Sequence, residues 1–166
     1  MVPNVKTGEE AKAIVDAAKY APIGNRGVIL GNANSDFASV APNEFLPFAN
    51  ENTTIICQIE SVQGLENIEA IASTTGVDVL WVGHFDLTQS MGIPGQFDDK
   101  TFIDALHHVV EIAKRHNLRA GIQPGSLPQA REWIDIGFDV ISYSADIAVY
   151  MEAMSAAVQN VRSISA

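Results

Sequence analysis

Cysteine is almost absent from this sequence: Cys57 stands alone among 166 residues. No internal disulfide can form, and a reducing cytoplasm is the expected compartment. Positive charge is scarce as well. Ten Lys and Arg stand against twenty Asp and Glu, a formal net charge of −10. That balance argues against nucleic acid and against anionic membrane surfaces, both of which select basic patches. No stretch reaches the roughly 18 apolar residues of a membrane-spanning helix. The first residues lack a charged segment followed by an apolar run, so no signal peptide is expected. Low-complexity tracts and linkers are missing too, and a single domain over 1–166 is expected.

What is present is a globular composition, 47 % apolar and 18 % charged. Short apolar runs near positions 2, 55, 79, 120 and 140 read as strands. Between them lie helical patterns. Thr7, with Glu10 three residues on, marks a helix start with capping-box spacing. Pro42 suits a first helical turn, and a helix is expected from there to about Asn50. Helices are also expected from about Val62 to Ser73, from Thr101 to His116, from Ser126 to about Ile136, and from Ala145 to about Ile164. Residues 31–41 read as a loop, and 83–99 as a long loop with at most one helical turn. Strict strand–helix alternation predicts α/β architecture with a parallel sheet of five βα units.

Two of the strands end on polar residues. The run Thr54–Ile59 is followed by Glu60, with Gln58 two residues before it. Val79–Val82 runs into Gly83, His84, Phe85 and Asp86. Glu60 and Asp86 are 26 residues apart, close to one strand–helix unit. Neighbouring parallel strands would therefore bring both carboxylates to one sheet edge, where ligands bind in such folds. Two converging carboxylates with no adjacent Lys or Arg call for a cation. Oxygen donors of this kind suit Mg²⁺, Mn²⁺ or Co²⁺. The plain alternative is that both acids merely sit at helix N-termini. Gln123, Tyr143 and Ser144 are further polar residues at strand ends.

The order and spacing of Val2-Pro3-Asn4-Val5, Tyr20-Ala21-Pro22-Ile23-Gly24-Asn25-Arg26-Gly27, Gln58-Ile59-Glu60 and Gly83-His84-Phe85-Asp86-Leu87-Thr88 carry a resemblance. The chain resembles the HpcH/HpaI aldolases, the class II metal-dependent pyruvate aldolases. The resemblance implies cleavage of 4-hydroxy-2-oxo acids or 2-keto-3-deoxy sugar acids to pyruvate and an aldehyde, through a metal-stabilised enolate. It implies Glu60 and Asp86 as the metal ligands and Gln58 beside the pyruvyl group. Gly83, with the backbone N–H groups around Phe85 and Asp86, would hold the substrate carboxylate. It also implies a (β/α)₈ TIM barrel, of which about five parallel βα units match here. Three units have no counterpart, and with them go the family's catalytic histidine and the arginine that steadies the enolate oxygen. The chain is therefore expected to be the C-terminal part of such a barrel, with Met1 an internal residue of a longer enzyme. An inactive truncated fragment that keeps the metal and pyruvate half-site is one alternative. A citrate-lyase-like CoA-ester lyase is another.

His84 stands where the family often has proline. It is a candidate proton donor, a partner to the metal ligands, or a packed side chain. Arg26 is read as fixing its turn, with anion binding or a subunit contact as alternatives. His107, His108 and His116 are read as surface or packing residues, and Cys57 as a buried, inert thiol. The loop 92–97 is a candidate wall for the aldehyde side. Trp133 and the apolar stripe of the last helix read as core. In the family the C-terminal region packs on neighbouring subunits, so the resemblance also implies a homo-oligomer.

Overall fold

The structure, a computed structural model, describes residues 1–164. Its frame is a parallel sheet of four strands in sequence order: β1 (Ile56–Ile59), β2 (Val79–Val82), β3 (Arg119–Ile122) and β4 (Val140–Ile141). Two helices precede β1: α1 (Gly8–Ala18) and α2 (Pro42–Glu51). α3 (Val62–Glu66) and α4 (Ile68–Ala72) connect β1 to β2. α5 (His84–Ser90) and α6 (Lys100–Arg115) connect β2 to β3. α7 (Leu127–Ile136) connects β3 to β4, and α8 (Asp146–Ile164) follows.

The expected fifth strand is only a bridge. Val2 pairs with Cys57, Val2 N–H donates to Ile56, and Gln58 N–H donates to Val2. The ladder stops there for two reasons. Pro3 has no N–H to give, and Asn4 turns into the left-handed region at φ 54°. Val5 N–H returns to the Gln58 carbonyl at 3.1 Å, so the segment still lies along β1.

The register sorts the sheet into two faces. Cys57, Leu80 and Ala120 lie abreast, as do Ile59, Val82 and Ile122. All six are buried in the main core with Ile68, Ile71, Phe102, Leu106, Val109 and Trp133. Each fully buried aliphatic side chain contributes about 1.5–3 kcal/mol relative to exposure. The opposite face carries Gln58, Trp81 and Gly121 abreast. Gly121 is required there: a Cβ would lie 2.3 Å from the Trp81 ring.

Helix starts follow the sequence signals closely. Thr7 Oγ1 accepts from Glu10 N–H, and Glu10 Oε2 accepts in return from Lys6 N–H. Ser126 caps α7, and Gly137 ends it at φ 123°. α6 buries Phe102, Ala105, Val109, Ile112 and Ala113, the stripe its sequence predicts.

Three further expectations need correction. The helix expected over 62–73 is broken at Asn67, whose side-chain amide donates to the Lys6 carbonyl and pins the N-terminal segment. The long loop after β2 opens with a seven-residue helix, α5. The stripe of α8 is not core: among the described residues, none of that helix is buried. Trp133, by contrast, is 1 % exposed.

At the opposite end from the acidic residues, Lys19 is buried. Its Nζ donates to the Asn50 carbonyl at 2.6 Å and to that of Thr53, and lies 4.0 Å from Asp78 Oδ2. The same Asp78 oxygen accepts from Ile55 N–H. A buried ammonium is tolerable only when paired and hydrogen-bonded in this way. The result anchors the beginnings of β1 and β2 to α1 and α2.

Candidate active site at the sheet edge

β1 and β2 pair with Ile59 opposite Val82, so the next residues, Glu60 and Gly83, face each other just past the strand ends. Gln58 and Glu60, two residues apart, share one face of β1. Gln58 Nε2 donates to Glu60 Oε2 at 2.6 Å. Gly83 permits the approach from β2. A Cβ there would lie 2.4 Å from Glu60 Oε2 and 2.7 Å from Gln58 Nε2. Its N–H donates to the Ile59 carbonyl.

Asp86 lies in the first turn of α5, one residue after Phe85. Glu60 and Asp86 line a common cleft of about 270 Å³ with Asn4, Gln89 and Ser90. Burial raises the Glu60 carboxyl above its usual range, and the negative charge of Asp86 raises it further. Hydrogen bonds from the Asn4 backbone and the Gln58 side chain pull the other way. Among the described residues, no ion pair engages either acid.

Helix capping does not explain Glu60. The cap of α3 is Ser61, whose Oγ accepts from Gly64 N–H at 3.1 Å. For Asp86 a first-turn charge near the helix dipole remains a sufficient local role. α5 begins at Gly83 without any side-chain cap.

α5 is held from behind by Thr88, which is fully buried. Its hydroxyl donates toward the His84 and Phe85 carbonyls and accepts from Gly95 N–H. This ties the loop after α5 back onto the helix. Ser90 Oγ accepts from Val62 N–H at 3.0 Å, joining the end of α5 to the start of α3. The two acid-bearing segments are thus braced against each other.

His84 packs within an aromatic group. Its ring centroid is 4.7 Å from Phe85, 5.1 Å from Phe97 and 5.2 Å from Trp133. Burial holds the imidazole below its usual pKa, partly offset by Asp86. Phe97 belongs to the same group, whereas Phe85 is largely exposed at the rim. Gln123 donates to the Ser144 carbonyl and Tyr143 is exposed, both away from the carboxylate cleft.

The remaining candidates have local roles. The Arg26 guanidinium lies 4.9 Å over the Tyr20 ring, bracing its turn. His116 meets Glu69 at 2.8 Å on the outer surface. The Cys57 thiol is pushed up to about 11 by burial, so it stays protonated and unreactive at neutral pH.

The sequence did not single out Asn4, Gln89 or Ser90. A usable signal existed for the last two: they lie three and four residues after Asp86, the spacing of one helical face. It was hidden because α5 itself was read as loop. Asn4 enters the cleft because of its left-handed backbone, which no periodicity reveals.

A residue set of this kind fits a divalent cation in part. Two acids and an amide oxygen are oxygen donors, and repulsion between the acids is what a cation relieves. Among the described residues, however, no group of three or more His, Cys, Asp or Glu comes together. Water or ligand oxygens would have to complete any coordination sphere, the habit of Mg²⁺ more than of zinc.

A four-stranded parallel α/β sheet with two acids past the C-terminal ends of neighbouring strands puts the candidate site where α/β folds bind ligands. Residues 1–145 match the HpcH/HpaI aldolase/citrate lyase family, and the chain belongs to that family. The 5-keto-4-deoxy-D-glucarate aldolase of Shigella sonnei is 34 % identical over 153 residues, covering 92 % of this chain and 59 % of that protein. The chain thus spans about three fifths of the length of the curated relatives it matches. An HpcH/HpaI aldolase from Desulfitobacterium hafniense superimposes with a TM-score of 0.89 at 28 % identity, over 98 % of this chain and 62 % of the other. An HpcH/HpaI aldolase/citrate lyase family protein from Burkholderia cenocepacia gives 0.88 at 31 %, over 98 % and 64 %.

Proposed function

We propose that this chain forms the cation- and pyruvate-binding side of a carbon–carbon lyase. Its substrates are 4-hydroxy-2-oxo acids or 2-keto-3-deoxy sugar acids, cleaved to pyruvate and an aldehyde. The observation that carries the reading is the Glu60–Asp86 pair in one cleft with no counter-charge of its own. Membership of the family supports it, as does the activity named for the Shigella relative.

Glu60 and Asp86 would hold a divalent ion, Mg²⁺, Mn²⁺ or Co²⁺. When bound, such an ion supplies Lewis-acid polarisation of the 2-oxo carbonyl. The chain's own residues do the rest. Gln58 fixes the Glu60 carboxylate by its amide N–H and keeps its own carbonyl oxygen for a ligand. The first-turn N–H groups of α5, at His84, Phe85 and Asp86, point out of the helix start and suit the substrate carboxylate. Gly83 keeps the approach open.

One observation favours a second reading, binding without turnover. Among the described residues no histidine, lysine or arginine lines the cleft, and His84 is packed among aromatic rings. A proton-transfer group must then come from elsewhere. A homo-oligomer is proposed as well, supported by the exposed apolar residues of α8. Among the described residues no helix is long and apolar enough to cross a membrane.

The test is pyruvate release from a panel of 4-hydroxy-2-oxo acids with Mn²⁺ present, read by coupling to lactate dehydrogenase. Release that EDTA and Glu60→Ala both abolish supports the lyase. Mn²⁺-dependent pyruvate binding with no release across the panel supports the second reading.

A further inference from the structure

The proposed function assigns no role to Asn4 or Gln89, which line the cleft with Glu60 and Asp86. Gln89 follows Asp86 by three residues on α5, so both project from one helix face. Asn4 is held by the bridge to β1, with Val2 and Val5 both hydrogen-bonded to that strand. Its φ of 54° is tolerated by Asn better than by most residues. Of the other cleft residues, Ser90 Oγ is engaged by Val62 and Glu60 by Gln58, and Asp86 is assigned to the cation. Among the described residues, neither the Asn4 nor the Gln89 carboxamide is engaged by another protein group.

Among the described residues, those lining the cleft are all polar or acidic. Its volume of about 270 Å³ falls just under the ~300–1,000 Å³ of pockets for drug-sized ligands, so a small polar molecule fits. A carboxamide offers both donors and an acceptor, and so does a hydroxyl, so each amide can pair with a hydroxyl in either sense.

We infer that Asn4 and Gln89 read hydroxyl groups on the aldehyde half of the substrate, selecting polyhydroxylated 2-oxo acids over apolar ones. This rests on the proposed pyruvate and cation site, and it names the part of the ligand beyond the pyruvyl group. The two amides are specificity-determining residues and take no part in bond cleavage.

Calorimetric titration of the Mn²⁺-loaded chain tests it with three probes. Pyruvate reports the shared head group. 2-Oxo-D-gluconate and 2-oxohexanoate have the same six-carbon chain, with and without hydroxyls. The wild-type chain is expected to prefer the gluconate. Gln89→Met removes the amide at similar length, and Asn4→Gly keeps the backbone conformation. Each is expected to cut that preference about 3- to 10-fold, the effect of one hydrogen bond, with pyruvate affinity within about twofold. An unchanged preference in both variants overturns the inference, as does a wild-type preference for 2-oxohexanoate. If the wild-type chain binds pyruvate but makes no distinction, the hydroxyl subsite fails alone. If it binds no pyruvate with Mn²⁺, the underlying site reading fails and takes the subsite with it.

Discussion

The β1–β2 side of the sheet and the β4 edge are built differently. β2 is buried along its whole length and packs against neighbours on both sides. β4 is two residues long, half-buried, and leads into α8, which exposes Ile147, Tyr150, Met151, Val158 and Val161. The acids lie on the well-packed side, Glu60 just past β1 and Asp86 in α5 just past β2. A site that must hold two like charges close together needs rigid supports, and the β1–β2 pair supplies them. The β4 and α8 end carries none of the proposed chemistry, and its apolar surface is left exposed among the described residues.

Substitutions can sharpen or break this contrast. The largest effect is expected at the packed end. Leu80→Ala leaves a cavity in the main core and should cost about 2–5 kcal/mol in denaturant unfolding. A loss below 1 kcal/mol would mean that β2 is not the support its burial implies. At the site itself, Gly83→Ala sets a methyl group against Glu60 and Gln58. It should weaken Mn²⁺ binding by roughly 10-fold, on the scale of a disturbed ligand support, while far-ultraviolet circular dichroism is unchanged.

A smaller effect follows from acidity. Glu60 is raised by burial and by Asp86. Mn²⁺ affinity should therefore start to fall, as pH is lowered, above the usual carboxylate range. Without metal the sign for stability is the reverse. A raised folded-state pKa gives a contribution that is full below the unfolded value and lost as pH rises through the folded one. At neutral pH the metal-free Glu60→Gln variant should then melt higher than wild type, and a lower melting temperature would contradict the repulsion. The smallest effect belongs to the other end: Val158→Ser on α8 should stay within about 0.5 kcal/mol in the isolated chain.

Much of this was legible in the sequence because the signals were local. Thr7, Pro42, Ser126 and Gly137 mark their helix ends by the chemistry of a cap or a missing N–H. The stripe of α6 repeats over four turns. The convergence of Glu60 and Asp86 followed from strand alternation and a spacing of one βα unit. Other features are tertiary. α5 has no capping side chain and is secured by the buried Thr88 hydroxyl and by the returning loop. Asn67 breaks a helix to reach Lys6, far away in sequence. The stripe of α8 is amphipathic like that of a core helix, and periodicity does not say whether an apolar face meets its own chain. His84 shows the same limit: its aromatic partners come from α7 and the loop before α6.

The central claim is that Glu60 and Asp86 form a cation site that pyruvate completes. Its most direct test is titration of the metal-free chain with Mn²⁺, followed by electron paramagnetic resonance, with and without pyruvate, in wild type and Glu60→Gln. The account predicts a single Mn²⁺ site, tightened by pyruvate and weakened by roughly 100-fold or more in the variant, beyond the 10–100-fold of a disturbed support. Equal Mn²⁺ binding by wild type and Glu60→Gln, or none by either, would contradict it.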